Sequence, residues 1–363
     1  MTDPTVPDLA PTPDAGLEDR IRDLVVAAGI SGNVDQISQI LGTGVRLGQD
    51  GTDRLDLKIT NAALAEMRNA FKIFQPFQDI PKVTIFGSAR TRTDDPQYAQ
   101  AHEVAAALAG RGWMVVTGAG PGIMQAAMEG AGAHRSIGVS IRLPFETRAN
   151  DVIHDDPKHV SMKYFFTRKL MLVKESRGFL SVPGGFGTLD ETFELLTLQQ
   201  TGKAEPTPIV LLDVPGGTFW KGFRRFVDEE LVGLGVVSPD DLDRVLITES
   251  VDDAVAEIIG FWRNYDSLRW VGKRLVLRLR AEPTDAEVGT LNEQFGDLLQ
   301  EGRIERSGPV SAEVSGRDKV DLPRLVMVWN QFRIGSLHRL IRALNRLDSA
   351  PPVAETPDSI SID

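Results

Sequence analysis

The spacing of apolar and polar positions changes character along the chain. From about Leu17 to Phe77, the segments LEDRIRDLVVAAG, VDQISQILGTGVRLG and NAALAEMRNAFKIFQPF carry helical spacing with no strand signal between them, which predicts a helical N-terminal extension. At Lys82 the texture shifts. KVTIFGSAR is a short β-branched run ending in small residues, the pattern of a buried parallel strand and its turn. A helix over PQYAQAHEVAAALAGRG follows, closed by Gly110 and Gly112. WMVVTGAGPGIMQAAMEGAGA repeats the plan of strand, glycine turn and helix. SIGVSIRLPF predicts a third strand, MKYFFTRKLMLVKES a helix, GFLSVPGG a fourth strand, and TLDETFELLTLQQTGK the next helix. TPIVLLDV adds a fifth strand and TFWKGFRRFVDEELVGLG another helix. This alternation implies α/β architecture, a doubly wound parallel sheet with helices on both faces.

After about Asp266 a second pattern begins. KRLVLRLRA predicts a strand, TDAEVGTLNEQFGDLLQEG a helix and RLVMVWN another strand. The last helix, SLHRLIRALNRL, sets Leu337, Ile341, Leu344 and Leu347 on one face and Arg339, Arg342 and Arg346 elsewhere. Those arginines fit a solvated helix face or an effector site of a regulated enzyme. The organisation expected is a disordered tail at 1–16, a helical extension at 17–78, a catalytic α/β domain at 79–265, a small α/β domain at 266–349 and a second disordered tail at 350–363.

Composition narrows the function. The net charge of −11 over 363 residues argues against a broad nucleic-acid surface, which needs many cations to displace counterions from phosphates. It leaves room for one small anionic ligand. The chain has no cysteine, so disulfides, thiolate metal sites and a cysteine nucleophile are excluded. Five histidines without zinc-motif spacing point to no metal. The start, MTDPTVPDLAPTPDAGLEDR, lacks the basic and apolar regions of a signal peptide. No stretch approaches the roughly 18 apolar residues of a membrane span. A cytoplasmic protein without membrane contact is expected.

In an open parallel sheet, ligands bind beyond the carboxyl ends of the strands. Three such ends are glycine-rich: Gly87-Ser88, GAGPG from Gly118 through Gly120 to Gly122, and PGGFGT with Gly184, Gly185, Gly187 and Thr188. Two run directly into helices, whose N-termini offer unpaired N–H groups suited to phosphate. The same glycines also suit tight strand-to-helix turns with no ligand. GAGPGIM fits neither the dinucleotide fingerprint nor the Walker loop. Arg168 and Lys169 lie on the helix before PGGFGT, and Glu191 lies three residues past Thr188. Thr188-Leu-Asp-Glu191 reads equally as a capping box or as a hydroxyl and a catalytic carboxylate. Arg168 taken alone reads as a surface or ion-pairing residue.

Taken together, VTIFGSAR, TGAGPGIMQAA, LPFE, YFFTRKLMLVK and PGGFGTLDETFELLTLQQTGK resemble the Lonely Guy family of phosphoribohydrolases, long labelled "possible lysine decarboxylase". The likeness runs from about Val83 to Ile258, roughly half of the chain. It implies a Rossmann-like domain, a homodimer or higher homo-oligomer with the dimer as its basic unit, and hydrolysis of a nucleoside 5′-monophosphate to free base and ribose 5-phosphate, with no cofactor and no metal. The family's catalytic arginine and glutamate fall on Arg168 and Glu191, and its phosphate loop on Gly184, Gly185, Gly187 and Thr188. Two departures stand out. Many relatives carry glycine at Ala119, a mild change, and often glutamate at Gln125, a change that bears on substrate choice. A carboxylate at Glu191 suits the oxocarbenium-like charge that builds as a ribosyl C–N bond breaks. Decarboxylation needs an electron sink such as pyridoxal phosphate on a lysine, and nothing marks Lys169 or Lys174 for that role. The competing expectation is a non-catalytic nucleotide or cofactor carrier or sensor, which needs the loop but not both Arg168 and Glu191.

Overall fold

A computed structural model describes residues 15–143 and 149–352. Most of both tails expected to be disordered, and most of LPFE, lie outside the described residues. By its internal contacts the chain divides into residues 1–65 and 66–363. The first unit holds α1 (Ala15–Ala27), α2 (Val34–Gln49) and the start of α3 (Arg54–Phe74). Within it α1 packs on α2, and Arg22 donates to Asp35 at 2.6 Å.

The second unit opens with β1 (Lys82–Phe86), α4 (Pro96–Ala109), β2 (Met114–Thr117), α5 (Ile123–Ala131), β3 (Ser136–Ile141) and β4 (His159–Met162). It continues through α6 (Phe165–Lys174), β5 (Gly178–Ser181), α7 (Phe186–Gln200), β6 (Ile209–Leu212), α8 (Phe219–Phe226), β7 (Val245–Thr248) and α9 (Val251–Gly260). The strands form one seven-stranded sheet in the order β4-β3-β2-β1-β5-β6-β7, parallel at every pairing. This is the expected Rossmann-like α/β sheet. Winding reverses between β1 and β5, which are neighbours, so their carboxyl ends flank a topological switch point.

Two strands, β4 and β7, were not expected, although VLIT of β7 is an apolar, β-branched run like the central strands. HVSM is half polar, and VLIT lies on the sheet edge with all four residues only partly buried. The central strands are covered on both faces, as parallel sheets require. Val83, Ile85 and Val115 face α4, α5 and α9, whereas Phe86, Met114 and Val116 face α6, α7 and α8. Asp95 caps α4 by accepting from the Gln97 amide at 2.8 Å, with Pro96 behind it.

The rest of the chain builds a second sheet from β8 (Tyr265–Val271), β9 (Arg274–Leu279), β10 (Leu299–Ser307) and β11 (Arg324–Trp329), with α10 (Asp285–Phe295), α11 (Ser311–Gly316) and α12 (Leu337–Leu344). Its order is β10-β11-β9-β8, antiparallel throughout. The helix expected over TDAEVGTLNEQFGDLLQEG ends at Phe295, and Leu299 already begins β10. That strand was hidden because only Ile304 of its nine residues is buried. One sheet face packs on α10 and α12 through Leu275, Leu277, Leu325, Met327 and Ile341.

The opposite face is ionic. Glu313 of α11, fully buried, accepts from Arg278 Nε and Arg324 Nε, each at 2.8 Å. The arginines of the last helix are also engaged: Arg342 Nε donates to Glu257 of α9 at 2.7 Å, and Arg339 lies 3.8 Å from Asp243. Among the described residues no helix is long and apolar enough to cross a membrane.

Removing one member of a buried ion network strands the others without counter-charge. Glu313→Ala should therefore cost about 3–5 kcal/mol of stability, read as a lower midpoint in denaturant. A shift worth less than about 1 kcal/mol, the level of an exposed pair, would show that Arg278 and Arg324 do not depend on it.

Candidate active site

The loops after β1, β2 and β5 enclose a cleft of about 800 Å³ with β3, β4 and the first turn of α7. Gly87, Ser88, Gly118, Gly120, Arg168, Gly184, Gly185, Gly187, Thr188 and Glu191 all line it. Two residues named with them do not. Gly122 is a hinge between loops: its φ is +67°, and a Cβ there would strike the Ser88 carbonyl. That carbonyl instead accepts from the Ile123 amide at 3.0 Å, tying the β1 loop to the start of α5. Lys169, expected at the phosphate, turns to carboxylates, with Nζ 2.9 Å from Asp190 and 2.8 Å from Glu194. Burial pulls its pKa down, but those hydrogen bonds outweigh it and leave Lys169 firmly charged.

The capping-box alternative for Glu191 fails on geometry. The residue at the cap of α7 is Gly185, which has no side chain to offer, and Thr188 already lies inside the helix. The first-turn N–H groups thus have no side-chain cap, and Gly185, Phe186 and Gly187 are exposed at the cleft. That leaves the helix end open to an anion.

Glu191 is itself unusual. It is buried, and its Oε2 has no hydrogen-bond partner. Lys169 Nζ approaches to 3.8 Å, too far to donate. Burial pushes the carboxyl from its ordinary 4.5 up to about 7, against the pull of Lys169 and Arg168. A carboxylate that titrates near neutrality can exchange protons with a substrate or water.

Arg168 reaches the cleft across the sheet. Its Nε donates to the Val139 carbonyl of β3 at 3.0 Å. A Cβ at Gly118 would overlap its guanidinium, so glycine there makes room for the arginine.

Several lining residues were not anticipated: Arg90, Ser140, Arg142, His159, Ser161 and Phe165. Arg90 and Arg142 stand toward the carboxyl ends of the expected segments KVTIFGSAR and SIGVSIRLPF, and that position was the available signal. His159 and Ser161 belong to the unpredicted β4. Ser140 Oγ lies 2.8 Å from His159 Nε2, and burial lowers the histidine's pKa. Of the two departures, Ala119 holds a φ of 57°, the left-handed region that glycine enters freely. Gln125 donates to Glu129 at 2.8 Å and does not line the cleft, so its difference is not read at the ligand.

Fold and cleft together define a Rossmann-like α/β protein with an anion-receptive site at its switch point. Residues 122–258 match the family described as possible lysine decarboxylase. Over 159 residues the chain is 34% identical to a cytokinin riboside 5′-monophosphate phosphoribohydrolase of Mycobacterium tuberculosis, covering 43% of this chain and 81% of that protein. A protein of the same name from Mycobacterium marinum is 34% identical over 155 residues, covering 42% and 80%. Among solved structures, the molybdenum cofactor binding protein of Rippkaea orientalis is 20% identical and covers 48% of this chain and 93% of its own, with a TM-score of 0.35. The chain belongs to the Lonely Guy family, the group carrying the possible lysine decarboxylase description.

The buried Glu191 carboxyl has a thermodynamic signature. Its folded pKa of about 7 exceeds the unfolded value of 4.5, so the folded chain retains a proton that the unfolded chain has lost. Stability then falls as pH rises from 4.5 through 7 and levels off above. Glu191→Gln lacks this slope. Relative to wild type it should gain up to about 3 kcal/mol between pH 4.5 and 8, whatever its constant offset. Parallel stability–pH curves for the two proteins would contradict the raised pKa.

Proposed function

We propose that the chain is a nucleoside 5′-monophosphate phosphoribohydrolase, releasing free base and ribose 5-phosphate. The observation that carries this reading is the buried Glu191 carboxyl, whose Oε2 accepts no hydrogen bond, in the same cleft as an open helix N-terminus. A carrier needs the anion site, but it gains nothing from burying a carboxyl at this cost. The family's phosphoribohydrolase relatives supply the same reaction class.

The phosphate binds at Gly184–Thr188, where the first-turn amides of α7 and the glycine backbone donate hydrogen bonds. This anchors the unreactive end and positions the sugar. As the C–N bond lengthens, positive charge gathers on the ribose ring, and ionised Glu191 stabilises it and orients the attacking water. Arg168 stays charged and cannot serve as an acid. It holds the substrate and draws Glu191 toward its ionised form. The base extends toward β3 and β4, past Ser140, His159 and Phe165. Three strand spacings separate β5 from β3, about 14 Å, enough for an extended nucleotide. No cofactor enters this chemistry. Among the described residues no lysine lines the cleft to serve a decarboxylase: Lys169 is committed to Asp190 and Glu194, and Lys174 to Glu175 at 2.5 Å. The substrate class puts the protein to work in the cytoplasm.

AMP and its N6-isoprenylated form are the first substrates to test. AMP should be cleaved efficiently and adenosine scarcely, and turnover should climb as pH rises through about 7. Glu191→Gln should lower kcat by roughly 10² to 10⁴ with little change in nucleotide affinity. AMP bound but not cleaved would support a carrier or sensor instead. Equal rates on AMP and adenosine would remove the phosphate loop from the mechanism.

The same reading includes a homodimer. Phe165, Phe166 and Leu170 on α6 and Phe186 and Phe193 on α7 are exposed beside the cleft. A second copy would cover these apolar faces. Sedimentation at micromolar concentration should give about twice the 39.7 kDa chain mass, and a monomer alone would refute the dimer.

A further inference from the structure

We propose that Glu66, on α3 and outside the residues matched by the family model, is the positioning residue for Arg168. The inference rests on the hydrolase reading above. Glu66 is buried, and its carboxylate accepts from the Lys163 amide at 2.6 Å, the Tyr164 amide at 3.4 Å and Thr167 Oγ1 at 2.7 Å. The first two donors lie just before α6, at its cap residue Tyr164 and the residue preceding it, and Thr167 lies in its first turn; Tyr164 itself makes no side-chain cap bond. Glu66 therefore caps α6 from another element, where a negative charge suits both the free amides and the helix dipole.

The second set of contacts makes this more than a cap. Arg142 Nη2 donates to Glu66 Oε1 at 3.3 Å. Arg142 directly follows β3 and lines the cleft. Glu66 thus joins the start of α6 to the end of β3. Arg168 spans those same two elements: it follows Thr167 on α6, and its Nε is anchored on the Val139 carbonyl of β3. A shift of α6 against β3 moves the guanidinium relative to Glu191. Misplacement of about 1 Å at a catalytic group is enough to cost about 10²-fold in rate.

Glu66→Gln keeps the shape but loses the charge and one acceptor oxygen. Thr167→Val removes a single arm of the same clamp and serves as the second variant should Glu66→Gln fold poorly. The decisive measurement is a double-mutant cycle with Arg168→Lys, reading AMP turnover, ribose 5-phosphate affinity by calorimetry, and melting temperature. Glu66→Gln should lower kcat about tenfold or more in the wild-type background and less than about twofold in the Arg168→Lys background, because residues acting as one unit are non-additive. Ribose 5-phosphate affinity should stay within about twofold, since the phosphate loop is not part of the clamp. Equal losses in both backgrounds, or a lowered melting temperature with unchanged kcat, would overturn the proposal and leave Glu66 a structural cap. If the wild-type chain cleaves no monophosphate, the hydrolase reading fails by itself. Glu66 is then judged by AMP affinity, which should fall on Glu66→Gln only while Arg168 is intact. An equal fall in both backgrounds overturns the proposal.

Discussion

A parallel sheet that reverses its winding between β1 and β5 leaves a gap at their carboxyl ends, and the chemistry of this protein is arranged around that gap. The crossovers carry β2, β3 and β4 to one side of β1 and β6 and β7 to the far side of β5. The loops after β1 and β5 consequently face each other without a helix between them. Glycines allow those loops to approach closely, and α7 aims its amides into the space. Burial of every central strand on both faces holds the frame rigid. A site with tolerances of a fraction of an ångström depends on that rigidity.

Within this frame the protein retains an energetically unfavourable group in its cleft. Glu191 is buried beside two cations yet hydrogen-bonded to neither, and desolvation outweighs their attraction. A fully paired carboxylate would stabilise the fold more and would ionise too readily to be poised near neutrality. Lys169 shows the contrast. It is partnered by Asp190 and Glu194, stays charged, and does not enter the cleft. Neighbouring residues on facing helices thus play opposite parts, and what separates them is how many hydrogen bonds each makes: Lys169 donates to carboxylates, whereas Glu191 Oε2 accepts none.

Polar groups buried away from the cleft do structural work. Glu313 holds two arginines across the face of the second sheet, and Arg342 links the final helix to α9. The arginines of α12 that read as a solvated face or an effector site include one committed to a contact with Glu257. Glu66 belongs to both kinds of work, capping a helix and holding the strand end against which Arg168 is set.

Much of this was legible in one dimension. Alternating β-branched runs and helical periods determined the class of the sheet, because a strand buried on both faces must be apolar throughout. The glycine-rich strand ends marked the cleft-lining positions Gly87, Gly118 and Gly184, because only a side chain without Cβ tolerates such close approach. Other features had no local signature. The strands β4 and β10 are short or largely polar, and their pairing comes from neighbours distant in sequence. Thr188-Leu-Asp-Glu191 satisfies two motifs equally well, and only the actual start of α7 at Phe186 removes the capping box. Lys169 next to Arg168 looks like a second phosphate ligand, but adjacent helical residues project about 100° apart, and the fold turns one into the cleft and the other toward Asp190 and Glu194. Glu66 lies about a hundred residues from the helix it caps. The sequence by itself determined which residues are present and which local structures they favour. Desolvation and proximity, which decide what a carboxylate or a lysine does, exist only once the chain has packed.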